Sequence, residues 1–171
     1  MSELILCGRG GQGIIFLTRQ IGQIITDLGG NVISSETHGM AVRGGSINSH
    51  LRIGNFFSPL VQFGRADFLV SLDSSETQNN IHYLKHDGMV RENSPLSDEV
   101  NVKRADATAI ARSLGFTRLE NVVMFGFAST VEGFPVGPEI LRAHFLKETR
   151  EKIRTMNLAA LEAGIEKAVD G

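Results

Sequence analysis

Six residues near the start of the chain, Gly8-Arg9-Gly10-Gly11-Gln12-Gly13, combine four glycines with an arginine and a glutamine. They lie between the apolar runs 4–7 and 14–17, which predicts a buried strand, a tight turn and an amphipathic helix. Glycines let a ligand's phosphates approach the backbone closely, and free amide N–H groups at the start of a helix attract anions. The candidate ligand-binding residues are therefore Gly8, Gly10, Gly11, Gln12 and Gly13.

A second candidate segment spans residues 37–45 and is too rich in glycine to be the interior of a helix. Arg43 precedes Gly44 and Gly45, so its guanidinium can receive a carboxylate or phosphate through two parallel hydrogen bonds. His38 can donate or accept a proton near neutral pH. The alternative is that Arg43 forms a structural ion pair with Glu36 or with a partner subunit. The sequence identifies no catalytic acid or base.

Glu36 follows Gly13 by 23 residues, close to the spacing at which an acidic residue binds the ribose of NAD in dinucleotide-binding domains. The polar amide of Gln12, the lack of room for a second substrate domain and the glycine-rich loop after Glu36 argue against that function. A free-standing protein that binds NAD or ADP remains the alternative. A purely structural scaffold subunit is a third possibility.

Residues 46–53 alternate with period two, which predicts a strand with one polar face. That face contains Ser46, Asn48, His50 and Arg52, and we expect a wet subunit interface or the wall of a site. We assign the remaining histidines, His82, His86 and His144, to the surface and expect no metal centre.

The pattern of apolar residues predicts a single α/β domain over residues 1–171, with a Rossmann-like, doubly wound and mostly parallel sheet. Helices are expected on both faces, and the C-terminal third is expected to be helical. Segment 56–61 is interpreted as the antiparallel partner of the strand over 46–53. Asp73 and Glu76 resemble a capping box that begins a helix reaching about residue 85. A first helix is expected over about 11–28, short strands over 88–90 and 100–102, and further helices at about 106–114, 121–131, 137–149 and 151–168.

Composition excludes several classes of protein. A net charge of −2 without a basic block argues against nucleic acid and against anionic membrane surfaces. The first residues lack a secretory signal, and the apolar runs are shorter than the roughly 18 residues of a membrane span, so we expect a cytoplasmic protein. One cysteine, Cys7, cannot form an intrachain disulfide or by itself ligate an iron–sulfur cluster. We interpret it as a small buried hydrophobe, with a reactive thiol as the alternative.

Several motifs together carry a family resemblance. They are the glycine segment 8–13, Glu36-Thr37-His38-Gly39-Met40-Ala41-x-Arg43-Gly44-Gly45-Ser46, Ser49-His50-x-Arg52-Ile53-Gly54, Gly64-x-Ala66-Asp67, and Asn157-Leu158-x-Ala160-x-x-Ala163-Gly164. They resemble the gamma-subunit family of 2-oxoacid:ferredoxin oxidoreductases and span nearly the whole chain. Thr37-His38-Gly39-Met40 looks more like the beta subunit of indolepyruvate ferredoxin oxidoreductase than like the pyruvate or 2-oxoglutarate branches. Gamma subunits that act on pyruvate, 2-oxoglutarate or branched-chain 2-oxoacids remain alternatives.

The resemblance implies a division of labour between subunits. An alpha-type partner would hold thiamine diphosphate and iron–sulfur clusters, and the complex would decarboxylate a 2-oxoacid, form an acyl-coenzyme A and reduce ferredoxin. This chain would bind no cofactor firmly and would be inactive alone, with a homodimer possible in isolation. Coenzyme A would be the co-substrate, and the residues suited to its anionic groups are His38, Arg43, Gly44, Gly45 and the glycine segment.

Overall fold

A computed structural model describes residues 1–38 and 44–169, in which six strands form one sheet with helices on both faces. The strands are β1 (Ser2–Arg9), β2 (Val32–His38), β3 (Ser46–Ile53), β4 (Ala66–Ser71), β5 (Leu84–Asn93) and β6 (Val102–Ala105). The helices are α1 (Ile14–Asp27), α2 (Ser74–Asn80), α3 (Ala107–Ser113), α4 (Glu120–Ser129), α5 (Pro138–Leu146) and α6 (Glu151–Val169). The predicted α/β class, with its mostly parallel sheet and helical C-terminal third, is confirmed.

The strand order is β2-β3-β1-β4-β5-β6, and β1, β4, β5 and β6 are parallel neighbours. β3 lies antiparallel between β1 and β2. The prediction that 56–61 pairs with β3 is wrong, because both edges of β3 are already paired. The connection 54–65 instead crosses one face of β3, where Arg52 donates to the carbonyl oxygens of Ser58 at 2.9 Å and Leu60 at 3.3 Å.

The two faces of the sheet are covered unequally. Leu4 and Leu6 of β1 belong to the larger apolar core, to which α1, α3, α4, α5 and α6 all contribute. Ile5 and Cys7 face the opposite side and belong to a smaller cluster that also contains Val61. That second face is covered by the seven-residue α2 and by the connection 54–65.

Helix α2 begins as predicted but ends early. Asp73 caps it by accepting a hydrogen bond from the backbone N–H of Ser75 at 3.0 Å. The predicted capping box does not close, because the Glu76 carboxylate accepts from the Ser46 hydroxyl of β3 at 2.6 Å. The predicted continuation to residue 85 is wrong: a 3-10 turn (Ile81–Tyr83) follows, and β5 begins at Leu84. Tyr83 and Leu84 pack against the smaller apolar cluster, which favours the extended chain there.

The remaining differences are at the ends of elements. α1 begins at Ile14 rather than at about residue 11, because Gly11 and Gly13 have φ angles of 99° and 88°, which no right-handed helix contains. The later helices lie within one to three residues of their predicted bounds. The expected short strands at 88–90 and 100–102 are β5 and β6, which begin four residues before and two residues after those positions.

Helices α4 and α6 touch backbone to backbone. α4 is buried at every position from Asn121 to Ser129. A Cβ added at Gly126 would lie 2.2 Å from the carbonyl oxygen of Leu161, and one added at Gly164 would lie 1.9 Å from that of Val123. Such separations are far inside van der Waals contact, so glycine is required at this crossing.

Gly164→Ala is therefore expected to lower the free energy of unfolding by about 1–3 kcal/mol or more, since the new methyl group must push the two helices apart. Gly22→Ala is the matched control, because Gly22 also lies within a helix but has nothing within 4 Å of a built Cβ. It should raise stability by about 0.5–1 kcal/mol. Thermal unfolding monitored by circular dichroism measures both changes. Shifts of the same sign in the two variants would contradict the close helix crossing.

Candidate functional site

The glycine segment 8–13 lies at the carboxyl edge of the sheet, where the ends of β1 and β4 meet. The chain leaves β1 for α1 on one face of the sheet and leaves β4 for α2 on the other face. In open α/β sheets such a divergence marks the crevice beyond the strand ends where ligands bind. The fold therefore places the candidate residues of this segment at the expected position for a site.

Gln12 holds the glycine segment to the end of β4. Its Oε1 accepts a hydrogen bond from the backbone N–H of Arg9 at 2.7 Å, and its Nε2 donates to the carbonyl oxygen of Leu72 at 2.9 Å. A Cβ added at Gly8 would lie 3.0 Å from that same Gln12 Oε1. The Gln12 amide thus shapes the turn, and Gly8 leaves the space that it occupies.

The expectation of free amide N–H groups in the segment is only partly met. The N–H of Gly10 donates to the carbonyl oxygen of Gly45 at 2.9 Å, and the N–H of Gln12 donates to that of Arg9 at 3.1 Å. The amides of Gly11 and Gly13 have no partner within residues 1–38 and 44–169. These two N–H groups, next to the first turn of α1, are the ones that can receive an anion.

Gly13 also fixes the start of α1 against α4. A Cβ at this position would lie 2.3 Å from Nδ2 of Asn121, a buried residue of α4. The positive φ of 88° and this contact together require glycine. The turn is therefore positioned by the helical layer as well as by the sheet.

Arg9 places a positive charge at the mouth of the crevice. Its guanidinium forms an ion pair with Asp73 at 3.0 Å and donates to the Ser75 hydroxyl at 2.9 Å. Burial raises the pKa of Asp73, but the hydrogen bonds from Ser75 and the charge of Arg9 outweigh it, so the pKa lies below its usual value. The Arg9 side chain remains half exposed and can still contact an anionic ligand. This pair was not predicted from the sequence, because residues so far apart in the chain give no spacing signal.

A chain of polar side chains continues from this crevice towards the helices. Nδ2 of Asn93 donates to the carbonyl oxygen of Leu72 at 3.1 Å and to the Thr108 hydroxyl at 2.9 Å. That hydroxyl donates in turn to Glu120 at 2.8 Å. Since Leu72 also accepts from Gln12, one carbonyl group connects the glycine segment to β5 and to α4. These residues also went unrecognised in the sequence.

The second candidate segment reaches the same edge of the sheet. His38 is the last residue of β2, where it pairs with Ile47 of β3. Arg43 lies outside the described residues. Gly44 is exposed with a φ of 68°, and Gly45 contacts Gly10 through the hydrogen bond described above. The two glycine-rich segments therefore meet, although neither the period of the strands nor the motifs predicted their contact.

Glu36 does not occupy the position of a dinucleotide-binding carboxylate. In register, Glu36 aligns with Ser49 of β3, and Ser49 aligns with Leu6 of β1. Two strand spacings, about 10 Å, separate Glu36 from β1. In NAD-binding domains the acidic residue follows the strand directly beside β1. The intervening β3 removes the geometric basis for the nucleotide interpretation of Glu36.

The side chains on the polar face of β3 form hydrogen bonds and an ion pair with other residues of the same chain. Nδ2 of Asn48 donates to Asn80 at 3.0 Å, and Nδ1 of His50 accepts from the backbone N–H of Val61 at 3.1 Å. Arg52 forms an ion pair with Glu3 at 3.0 Å. Because His50 is 3% exposed, its expected place in a wet interface or site wall is wrong. These side chains hold α2 and the connection 54–65 on the sheet.

Cys7 is the buried hydrophobe that the sequence indicated. The residue is fully buried, its Sγ–H donates to the carbonyl oxygen of Glu76 at 3.6 Å, and burial raises the pKa of its thiol to about 12. Such a thiol is not nucleophilic at neutral pH. Within the described ranges, three or more His, Cys, Asp or Glu side chains do not gather into a possible metal site. Among the described helices, none has the length and apolar character needed to cross a membrane.

His50 makes stability depend on pH. Burial lowers its pKa in the folded protein below the ordinary value of 6.5, so the unfolded chain takes up a proton first as the pH falls. The free energy of unfolding should therefore decrease as the pH falls below about 6.5. His144, whose pKa is also lowered by burial and by Lys147, adds to this dependence.

The matched variant is His50→Asn, in which the amide oxygen can replace Nδ1 as the acceptor for Val61 but cannot titrate. Urea unfolding between pH 7.5 and 5 should show a shallower loss of stability in this variant, and a still shallower one after His144→Asn is added. An unchanged slope in the double variant would show that neither histidine governs acid sensitivity.

The chain is similar to known proteins over nearly its whole length. Residues 3–167 match the family model described as pyruvate ferredoxin/flavodoxin oxidoreductase. The chain is 30% identical to indolepyruvate oxidoreductase subunit IorB of Archaeoglobus fulgidus, with 99% of this chain and 96% of the relative covered. It is 28% identical to the protein of the same name from Methanothermobacter thermautotrophicus, with 98% of each covered.

Solved structures share the fold. The pyruvate oxidoreductase subunit PORC of Thermotoga maritima superimposes with a TM-score of 0.81 at 23% identity, covering 96% of this chain and 95% of that one. The gamma subunit of a keto/oxoacid ferredoxin oxidoreductase from Geobacter sulfurreducens gives 0.78 at 23% identity, with both chains fully covered. A 2-oxoglutarate:ferredoxin oxidoreductase from Magnetococcus marinus gives 0.80 at 18% identity, where the match is 31% of the longer chain.

Proposed function

Because the chain belongs to the pyruvate ferredoxin/flavodoxin oxidoreductase family, we propose that it is the subunit without firmly bound cofactors of an indolepyruvate-type 2-oxoacid:ferredoxin oxidoreductase. The observation that carries the proposal is the similarity to IorB subunits over nearly the full length of both chains. The proposed partner is an alpha-type subunit that holds thiamine diphosphate and iron–sulfur clusters and passes electrons to ferredoxin. The assembly would act in the cytoplasm.

Within such a complex, thiamine diphosphate supplies the electron sink that decarboxylation of a 2-oxoacid requires. This chain would contribute hydrogen-bond donors that bind and orient an anionic group. Arg9 is half exposed at the crevice, and the amides of Gly11 and Gly13 lie beside it without partners among the described residues. These groups suit the phosphates of coenzyme A or the carboxylate of the 2-oxoacid. Arg43 is proposed to add a second guanidinium, since its neighbours Gly44 and Gly45 adjoin the same segment.

The proposed substrate is indolepyruvate or another aryl pyruvate. Support comes from the names of the curated relatives and from the sequence Thr37-His38-Gly39-Met40. Pyruvate, 2-oxoglutarate and branched-chain 2-oxoacids are the competing substrates. The ratio of kcat/KM values among these acids, measured with the assembled enzyme, decides between them.

The face covered by α2 is proposed to contact the thiamine-bearing subunit. It is the thinner side of the fold, and the connection 54–65 exposes three large apolar side chains there. Phe57 is wholly exposed, Phe63 is 71% exposed and Leu60 is 52% exposed. Exposed apolar surface of this kind is typical of subunit interfaces. In isolation the same surface would favour a homodimer.

Reconstitution tests the subunit proposal. The purified chain with indolepyruvate, coenzyme A and a viologen dye should give no reduction, whereas adding the thiamine-bearing subunit should restore it. Phe57→Asp with Phe63→Asp should prevent co-purification of the two subunits. The control is Val100→Asp. Val100 is 90% exposed and lies just before β6, which is at the opposite edge of the sheet from β2, so this change should leave assembly intact. Dye reduction by the isolated chain would overturn the proposal.

Arg43→Ala tests the proposed anion site. A charge-assisted hydrogen bond contributes about 1.5–3 kcal/mol, so kcat/KM for the 2-oxoacid or coenzyme A should fall roughly 10- to 150-fold in the assembled enzyme. The melting temperature of the isolated chain should change by a few degrees at most, because an arginine that precedes two glycines is expected to add little to a core. A variant that assembles with unchanged kinetics, or that fails to fold, would show that Arg43 has a structural role instead.

A further inference from the structure

A cavity of about 600 Å³ lies between β5, β6 and the ends of α4 and α6, two strands away from the glycine segment. Its volume falls within the range of small-molecule sites. Apolar walls come from Phe127 of α4, Leu96 of the β5–β6 connection and Val169 at the end of α6. The family resemblance and the proposed function leave this cavity without a role.

The basic groups in this cavity exceed the acidic groups that pair with them. Arg104 is satisfied by Glu92 and Glu99, and Lys103 pairs with Asp98 at 3.0 Å. Asp106 is used as the cap of α3. Two lining cations, Arg91 and Lys167, form no ion pair with any carboxylate of residues 1–38 and 44–169.

Arg91 of β5 is a half-buried cation with few polar contacts among the described residues. Its side chain lies over the ring of Phe127 at 5.2 Å, and one of its terminal nitrogens donates to the carbonyl oxygen of Val90 at 3.2 Å. Its Nε is buried and finds no hydrogen-bond partner in the described part of the chain. Burial lowers the pKa of Arg91, against the weaker opposing effect of Asp98. A cation left in this state costs stability, which a ligand that pairs with it would offset.

We propose that this cavity binds a small organic anion with a flat apolar body. Its carboxylate or sulfonate would accept hydrogen bonds from Arg91 and lie near the ammonium group of Lys167, and its body would pack on Phe127 and Leu96. A guanidinium beside an aromatic ring provides both the fork that matches a carboxylate and a surface for a planar group. The cavity is lined by residues of this chain, so binding can be measured on the isolated full chain.

The test is a titration of the full chain with 1-naphthoate, followed by amide chemical shifts in nuclear magnetic resonance spectra. Saturable shifts are expected at Lys103, Phe127 and Ala168, which line the cavity. The neutral analogue 1-naphthalenemethanol should bind about tenfold or more weakly, because it cannot pair with the two cations. Absence of saturable binding up to about 1 mM, equal binding of the neutral analogue, or shifts confined to the glycine segment would overturn the proposal.

Substitutions separate a ligand-binding role from a structural one. Arg91→Met keeps the length and apolar packing of the side chain and should weaken naphthoate binding roughly tenfold or more. Its melting temperature should stay unchanged or rise, since a half-buried cation that forms no ion pair with a described carboxylate is removed. Lys167→Glu, at a half-buried position in the last turn of α6, should weaken naphthoate binding by a similar factor. This variant tests the proposal if Arg91→Met does not fold. Lys152→Ala, at the exposed start of the same helix, should leave binding unchanged. Unchanged binding in Lys167→Glu would refute the proposal.

Discussion

The pairing of β3 between β1 and β2 is the constraint on which the rest of the structure depends. It brings the start of β3 to the carboxyl edge of β1, where Gly45 accepts the hydrogen bond of the Gly10 amide. It also displaces β2 by one strand, so Glu36 no longer reaches the crevice as a dinucleotide-binding carboxylate would. The fold therefore retains the strand–turn–helix unit of a nucleotide-binding domain while rebuilding the surroundings of its turn from a different segment.

Local patterns predicted the class of the fold and most of its elements. Periodicity located α1 and the four later helices, and alternation located β3, because both signals depend on neighbours in the sequence. The antiparallel insertion of β3 was missed, since a strand carries no local mark of which strands it pairs with. The glycine segment was recognised because its residues are consecutive. Asp73, Asn93 and Thr108 were not recognised, because only the order of the strands in the sheet brings them close to that segment.

Several residues of the family motifs hold the fold together, which explains why sequence resemblance extended beyond the candidate site. Asp67 accepts from the backbone N–H of Glu3 at 2.8 Å and pairs with Lys85. Ser49 accepts from Thr18 of α1 at 2.8 Å, and Gly164 permits the close crossing of α4 and α6. A motif that spans a chain can therefore identify a family while most of its residues act in packing, and the roles of individual residues require the structure.

The complete burial of α4 has a consequence for the order in which the protein can form. A helix that is apolar on all sides gains nothing from exposure to water, and its cover, α6, is synthesised more than twenty residues later. At about 5–20 residues per second, the nascent chain carries α4 for a second or more without its partner. During that interval Met124, Phe125 and Phe127 are available to molecular chaperones or to another nascent chain. The native core therefore closes only after α6 has been synthesised, and slower translation over residues 130–164 would lengthen the time for which α4 lacks its cover.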